Sequence, residues 1–302
     1  MEVGAAATTP GIRRRLRGWW TWNWLGLMPF IIFIIAFQLF PALSIVIKSF
    51  QDTHGSFTLD NVAALNTPII LGAYVSSIKI SFLSALGGAL IGFFLAWAIT
   101  MGHLPSWVRS SILSFSGVAS NFGGVPLAFA FIATVGHVGI LTVALKSAGI
   151  ALYPDFNLYS VNGLILIYIY FQIPLMVLIM APAFDGLRNE WQEASENLGA
   201  SRWQYWWHIA LPILLPSIVG TFALLFGNAF GAQATAFALL GGGGNNLVIT
   251  LLVGSQFSSD TFNNPGIGNA LAFGMIVVMV VTIFIYSIFR RRSARWLKVG
   301  GE

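Results

Sequence analysis

Hydrophobic positions in this chain come in long unbroken runs, not in strand-like alternation. The runs lie near Leu25–Ser49, Ala73–Met101, Ser110–Val135, Val161–Phe184, Pro212–Leu240 and Ile267–Phe289. A helix needs roughly 20 mainly apolar residues to cross the hydrocarbon of a bilayer, and each run is that long. The pattern predicts an all-α membrane protein with six transmembrane helices. The second, third and fifth runs are rich in Gly, Ala, Ser and Asn. Small residues let helix backbones approach closely in lipid, so these runs are expected inside the bundle. The sixth, with Met275–Val281, is apolar all round and is expected to face lipid on one side. Asn121 beside Gly123-Gly124, just before Pro126, predicts a local break in the third span.

Composition supports a membrane protein. The 302 residues are 57% hydrophobic and 8% charged, with a mean hydropathy of +0.80, against about 25% charged in a soluble domain. There is no cysteine, which excludes disulfides and thiol chemistry. The four histidines, His54, His103, His137 and His208, lack metal-ligand spacing, so no metal site is expected.

Charge placement predicts orientation. The formal charge is +5. Arg13, Arg14, Arg15 and Arg17 precede the first span, and Arg290, Arg291, Arg292, Arg295 and Lys298 follow the last. Arg109, Arg188 and Arg202 lie between spans. With six spans, all of these fall on one side, leaving Lys48, Lys79 and Lys146 on or near the other. Cytoplasmic loops carry the excess of Lys and Arg, so both termini are expected in the cytoplasm. The expected organisation is a cytoplasmic segment 1–24, a spanning domain 25–289 with a cytoplasmic loop at 186–211, and a basic cytoplasmic tail 290–302. The first apolar run is too long for a signal peptide and lacks a small-residue cleavage site. Trp19, Trp20, Trp22 and Trp24 before it suit headgroup anchors.

The opposite loops, Gln51–Pro68, Gly136–Ser160 and Gly241–Gly266, are too short for independent domains. The middle one holds apolar Leu141–Leu152, expected as a short interfacial helix. The run Gly241-Gly242-Gly243-Gly244-Asn245-Asn246 lacks the Lys-Ser/Thr ending and the strand–helix context of a phosphate loop, and is expected as a turn region.

The cytoplasmic loop before the fifth run differs from everything around it. Asn189–Leu198 reads as a helix with Trp191, Ala194, Ser195 and Leu198 on one face and Glu190, Glu193 and Asn197 on another. Gly199 is its natural stop. Ser201 begins a second helix, with Gln204 at capping-box spacing and Trp203, Trp206 and Trp207 along it. Two readings stay open on these residues. One is an amphipathic hairpin on the membrane surface. The other is a docking surface for a protein, favoured because an anionic leaflet would repel Glu190, Glu193 and Glu196.

Spacing adds a resemblance. Glu193-Ala194-Ser195, three residues, Gly199, nine residues, then Ile209-Ala210-Leu211-Pro212 resembles the cytoplasmic docking loop of ABC importer permease subunits, usually written EAA, three residues, G, nine residues, I-x-L-P. Ser195 for the second Ala is the one departure. The resemblance extends from the second span through the basic tail. It implies a type I ABC importer permease fold in a bacterial or archaeal-type inner membrane. It also implies that Glu190, Glu193, Ala194, Ser195, Leu198, Gly199, Ile209, Leu211 and Pro212 form the coupling loop. The implied partners are two cytoplasmic ABC ATPase subunits, a second permease forming a heterodimer, an extracytoplasmic solute-binding protein and lipid, with no nucleic acid. The chain has no Walker A pattern, so it is expected to be no enzyme and to bind no cofactor, ATP being held by the partners.

Asn197-Leu198-Gly199-Ala200-Ser201 looks like the spermidine/putrescine, ferric iron, thiamine and phosphonate permeases. Ser120–Ala128 and Asn264–Ala272 look like the polyamine-type group. A polyamine is therefore the expected solute, with the other three as alternatives. Polar residues inside spans are costly and tend to be functional or paired. Asn121, Gln172, Asn228, Gln233 and Thr235 are the candidates for the translocation path, the alternative for each being a bond to a neighbouring helix. No acidic residue lies deep in a span. Asp185 is expected either to pair locally with Arg188 or to be exposed at the interface, and Lys79 to reach the surface. A stand-alone secondary transporter would usually carry intramembrane ionisable groups. A membrane enzyme would need a catalytic motif and a channel a filter sequence or charged ring, none of which is present.

Overall fold

The computed structural model describes residues 23–298 except Thr53, His103, 242–247 and 259–263. The N-terminal arginines, Trp19, Trp20, Trp22, His103 and most of the glycine run lie outside the described residues. The chain divides into two units, Met1–Ile45 and Val46–Glu302. In the first, α1 (Asn23–Ile34) passes through a π-helical turn at Ile35–Leu39 into α2 (Phe40–Ser49), which runs on into the second unit.

The second unit continues with α3 (Asp60–Ala63), α4 (Pro68–Met101), α5 (Ser106–Asn121), α6 (Gly124–Val135), α7 (Ile140–Ser147) and α8 (Val161–Asp185). Then come α9 (Asn189–Asn197), α10 (Arg202–Tyr205), α11 (Leu211–Gly231), α12 (Ala234–Leu240), α13 (Ile249–Ser258) and α14 (Pro265–Lys298). Six helical segments among the described residues are long and apolar enough to cross a membrane. The single β feature described is an isolated bridge between Gln51 and Phe57.

The core is the pairing of α4 with α8. Thr67 caps α4, accepting from the Ile70 amide, and Pro68 follows at a position with no intrahelical donor to lose. Gly88 and Gly92 then let the backbones meet. A Cβ at Gly92 would lie 2.6 Å from the Met176 Cβ and 2.7 Å from the Ile173 carbonyl. Because that carbonyl is backbone and cannot swing aside, Gly92→Ala is expected to cost about 1–3 kcal/mol, seen as a lower unfolding midpoint in detergent. Ser81 and Ser84 return their hydroxyls to carbonyls of α4, and the Ser77 hydroxyl accepts the Ile249 amide at the start of α13. Polar groups in this seam are thereby largely satisfied inside the bundle, as a lipid environment demands.

Two of the runs read from the sequence are broken, and the helical segments long and apolar enough to cross are Gly124–Ser147 and Arg202–Gly231 in place of the third and fifth runs as read. The third divides at Phe122-Gly123, as the glycine pair predicts. Gly124 has φ +69°, which favours glycine, and Pro126 sits in the first turn of α6, where its missing N–H costs no helix bond. The fifth run, expected to be continuous from Pro212 to Leu240, is also interrupted, at Ala232-Gln233. The Ala232 carbonyl freed by that break accepts the Tyr168 hydroxyl of α8 at 2.8 Å. The outer pieces α6 and α12 pack together, and a Cβ on Gly124 would be 3.6 Å from the Ala234 Cβ.

Other expectations change. A helix, α13, stands inside the loop expected at Gly241–Gly266; its apolar run is too short to span and reads ambiguously by pattern. Asp185 pairs with Arg109 of α5, not with Arg188, whose guanidinium lies over the Trp191 ring at 5.8 Å. The Arg109–Asp185 pair places the start of α5 beside the end of α8, on the side carrying α9. Lys79 is exposed.

Candidate docking site and translocation path

The α9 loop is built from two local devices. At the end of α9 the Gly199 amide donates to the Glu196 carbonyl and the Ala200 amide to the Ser195 carbonyl. This paired pattern is a Schellman stop, with Gly199 at φ +77°. Immediately after, the Ser201 hydroxyl accepts the Gln204 amide while the Gln204 side chain accepts the Ser201 amide at 2.7 Å. The turn is fixed on both sides. Ser201→Ala should cost about 1 kcal/mol, read as faster amide exchange at Gln204.

The second helix is not a separate surface helix. Arg202–Gly231 is one continuous helical rod, with a π-helical turn at Trp206–Ala210. Pro212 explains the wide turn: it cannot donate to the His208 carbonyl, and its ring would press on that group in a regular helix. Ile209, Leu211 and Pro212 thus lie within the rod and do not end the loop. The tryptophans divide too. Trp203 and Trp207 are exposed and stack at 5.7 Å. Trp206 turns inward, edge-on to Trp97 and Phe184, and Tyr205 is buried.

Between α9 and the rod runs a groove of about 630 Å³. Trp191, Ala194, Ser195 and Leu198 form one wall; Tyr205, His208 and Ile209 contribute to the other. Ser195 is buried and returns its hydroxyl to the Gln192 carbonyl at 2.7 Å; the small side chain is what lets the wall close. Leu198 is 88% exposed at the rim. Glu190 and Glu193 are exposed on the outer face of α9. The face pairing expected from periodicity is present, and the result is a stiff acidic helix with an apolar underside.

The path candidates separate into two groups. Gln172 is fully buried, and its Nε2 donates to the Ser84 hydroxyl at 2.8 Å; it joins α8 to α4. Thr235 is buried in α12. Gln233, in the second break, is exposed, with its Nε2 against Gly254. Asn121 and Asn228, also exposed, line one open cleft of about 690 Å³ between α5, α8, α11 and α14. Tyr286 lines it as well, a residue that the sequence reading did not single out.

The family model described as binding-protein-dependent transport system inner membrane component matches residues 89–298. The spermidine/putrescine transport system permease protein PotB of Haemophilus influenzae is 27% identical over 271 residues, 84% of this chain and 88% of that protein. The probable sulfate transport system permease protein cysT of Prototheca wickerhamii is 24% identical over 260 residues, 85% of this chain and 94% of that protein. Among solved structures, a bacterial ABC transporter involved in the import of the acidic polysaccharide alginate superposes with a TM-score of 0.66 at 19% identity, covering 90% of this chain and 95% of that chain.

Proposed function

The chain belongs to the family of binding-protein-dependent transport system inner membrane components, and from that premise we propose how it works and what it carries. It is an ABC importer permease subunit. It forms the path for a small solute handed over by an extracytoplasmic binding protein, and transport is driven by ATP hydrolysis in two cytoplasmic partner subunits. ATP is held by those partners, and this chain binds no cofactor of its own. A second, similar permease completes the membrane part, and both termini face the cytoplasm.

The observation that carries this reading is the connection of α9 to the rod Arg202–Gly231. Glu190, Glu193 and Ala194 offer a docking helix, and Gly199 with the capping box joins it rigidly to a helix that enters the membrane. A push on α9 therefore moves α11 without passing through a slack linker. The apolar groove beneath α9 and its acidic outer face suit a protein cleft with basic or polar walls.

The solute we assign is a polyamine. Resemblance to spermidine/putrescine permeases supports it, and the bundle has no deep acidic residue, so selection rests with the binding protein. Ferric iron, phosphonate, thiamine and, from the second relative, sulfate are the competing solutes. The test is uptake of labelled spermidine, putrescine and sulfate into proteoliposomes holding the assembled complex. ATP-dependent uptake of a polyamine that needs the binding protein is expected. Uptake of sulfate alone would replace the solute, and uptake by the isolated chain without ATP would replace the mechanism with secondary transport.

A further inference from the structure

The rod Arg202–Gly231 carries two different surfaces where it leaves the docking loop. Tyr205 and Ile209 face Trp191, Ala194 and Ser195 of α9 across the groove. Residues two apart on a helix lie about 200° apart around its axis, so Trp203 and Trp207 stand on the side of the rod away from α9. Neither lines the groove. They are 73% and 58% exposed and stack on each other.

The pair sits at a definite depth. α8 has 25 residues, about 38 Å at 1.5 Å per residue, against roughly 30 Å of hydrocarbon. Its last turn therefore reaches the headgroups. Phe184 lies in that turn, and Trp206 packs edge-on against it with ring centroids 6.4 Å apart. Trp207 is the next residue, and Trp203 lies about 4.5 Å further out along the rod. An indole, with an apolar body and one N–H, suits this boundary between hydrocarbon and water.

The surface also continues into the span. Trp203, Trp207, Leu211 and Leu215 follow at four-residue steps, and the π-helical turn, with more residues per turn, holds them near one line. Leu215 is again exposed. Helix interfaces in membranes are enriched in small residues. This strip has none, whereas Gly220 and Gly227 of the same helix are set against Tyr286 and Met279 of α14. The rod contains no Asp or Glu, and Arg202 beside the pair is exposed. Nothing on this face repels an anionic leaflet, as Glu190 and Glu193 of α9 would.

We propose that Trp203 and Trp207 form a lipid-binding surface, seated among the headgroups of the leaflet on the α9 side, and that it fixes the depth of the rod so that a push on α9 tilts α11 instead of sliding it. The protein-docking and membrane-surface readings of this loop then belong to opposite faces. The lipid contact stands on the geometry alone; its effect on transport rests on the importer reading.

The chain has no cysteine, so Trp203→Cys and Trp207→Cys each carry one nitroxide label, with the signal of the unmutated complex subtracted. In proteoliposomes of the assembled complex, the label's access to oxygen and to a water-soluble nickel chelate is read by electron paramagnetic resonance. Lipids labelled at the headgroup and along the acyl chain set the depth scale. Both labels should read at the headgroup level, with the ATPase bound and after it is stripped. Full access to the chelate would place the pair in water. Loss of access to both reagents would place it under a second permease. Shielding seen only with the ATPase bound would give it to that subunit. Each of these results would overturn the proposal. The double variant Trp203→Gln/Trp207→Gln should lower ATP-dependent uptake about threefold, because interfacial anchors set the tilt of a span, with ATPase co-purification unchanged. Trp203→Tyr/Trp207→Tyr should keep most uptake. Full uptake by the glutamine variant, or equal loss in the tyrosine variant, would remove the depth-fixing role. Absence of an ATPase from the unmutated complex would instead sink the importer reading and leave the lipid contact to the label depths.

Discussion

Gly199→Val is expected to reduce ATP-dependent uptake by at least about tenfold, equivalent to roughly 1.4 kcal/mol of lost coupling, while the chain still folds and reaches the membrane. The space beside Gly199 is open, with nothing within 4 Å of a Cβ, so crowding by neighbours is not the cause. The cause is the backbone. At φ +77° an ordinary L-residue costs about 1–2 kcal/mol, and a β-branched one is a genuine outlier. Valine would pull the turn toward another geometry, release the Ala200-to-Ser195 bond and re-aim α9 relative to the rod. Gly199→Asn should retain most uptake, because asparagine tolerates this conformation. Paired uptake and ATPase assays in proteoliposomes check both. Wild-type uptake by Gly199→Val would mean that the fixed turn does not transmit the stroke.

Reversing the acidic face should have an effect of similar size through a different link. In the double variant Glu190→Lys with Glu193→Lys, both side chains are exposed, so folding should be little affected. If α9 docks against a basic or polar cleft, like charges now face each other. Recovery of the ATPase with the tagged chain should then fall by tenfold or more, consistent with the roughly 2–5 kcal/mol at stake when a buried charge pair is broken. The membrane-surface reading of the same hairpin makes the opposite forecast. Each added lysine gains about 1 kcal/mol from an anionic leaflet, the loop holds the membrane more tightly, and ATPase recovery is unchanged. Quantitative pull-down with a fluorescence probe on Trp203 and Trp207 separates the two.

What the sequence made legible follows from how local the causes are. The Gly199 stop and the Ser201–Gln204 box depend on residues within a few positions, and both stand as read. The break at Gly123-Gly124 carries its own signal in glycine and proline. The break at Ala232-Gln233 does not: its freed carbonyl is satisfied by Tyr168, sixty-four residues earlier, and no local pattern announces that. The same reasoning covers Asp185. Arg188 is near in sequence, but the antiparallel packing of α5 on α8 brings Arg109 to it. The continuity of the docking loop with the fifth span was hidden because Pro212 looks like a boundary, whereas a π-helical turn absorbs it. Tyr286 was invisible for a further reason. A lone tyrosine in an apolar run carries no local signal, and only the packing of α14 on α11 brings it beside Gly220.

The central claim is that this chain is the membrane subunit of a larger machine, coupled through α9. It is tested most directly by mild-detergent purification of the tagged chain from native membranes, with every co-purifying protein identified, beside the Glu190→Lys/Glu193→Lys variant. The account predicts that an ATPase, a second permease and a binding protein accompany the wild-type chain, and that the ATPase is lost from the variant. Recovery of the wild-type chain alone, under conditions that keep other ABC complexes intact, would contradict it.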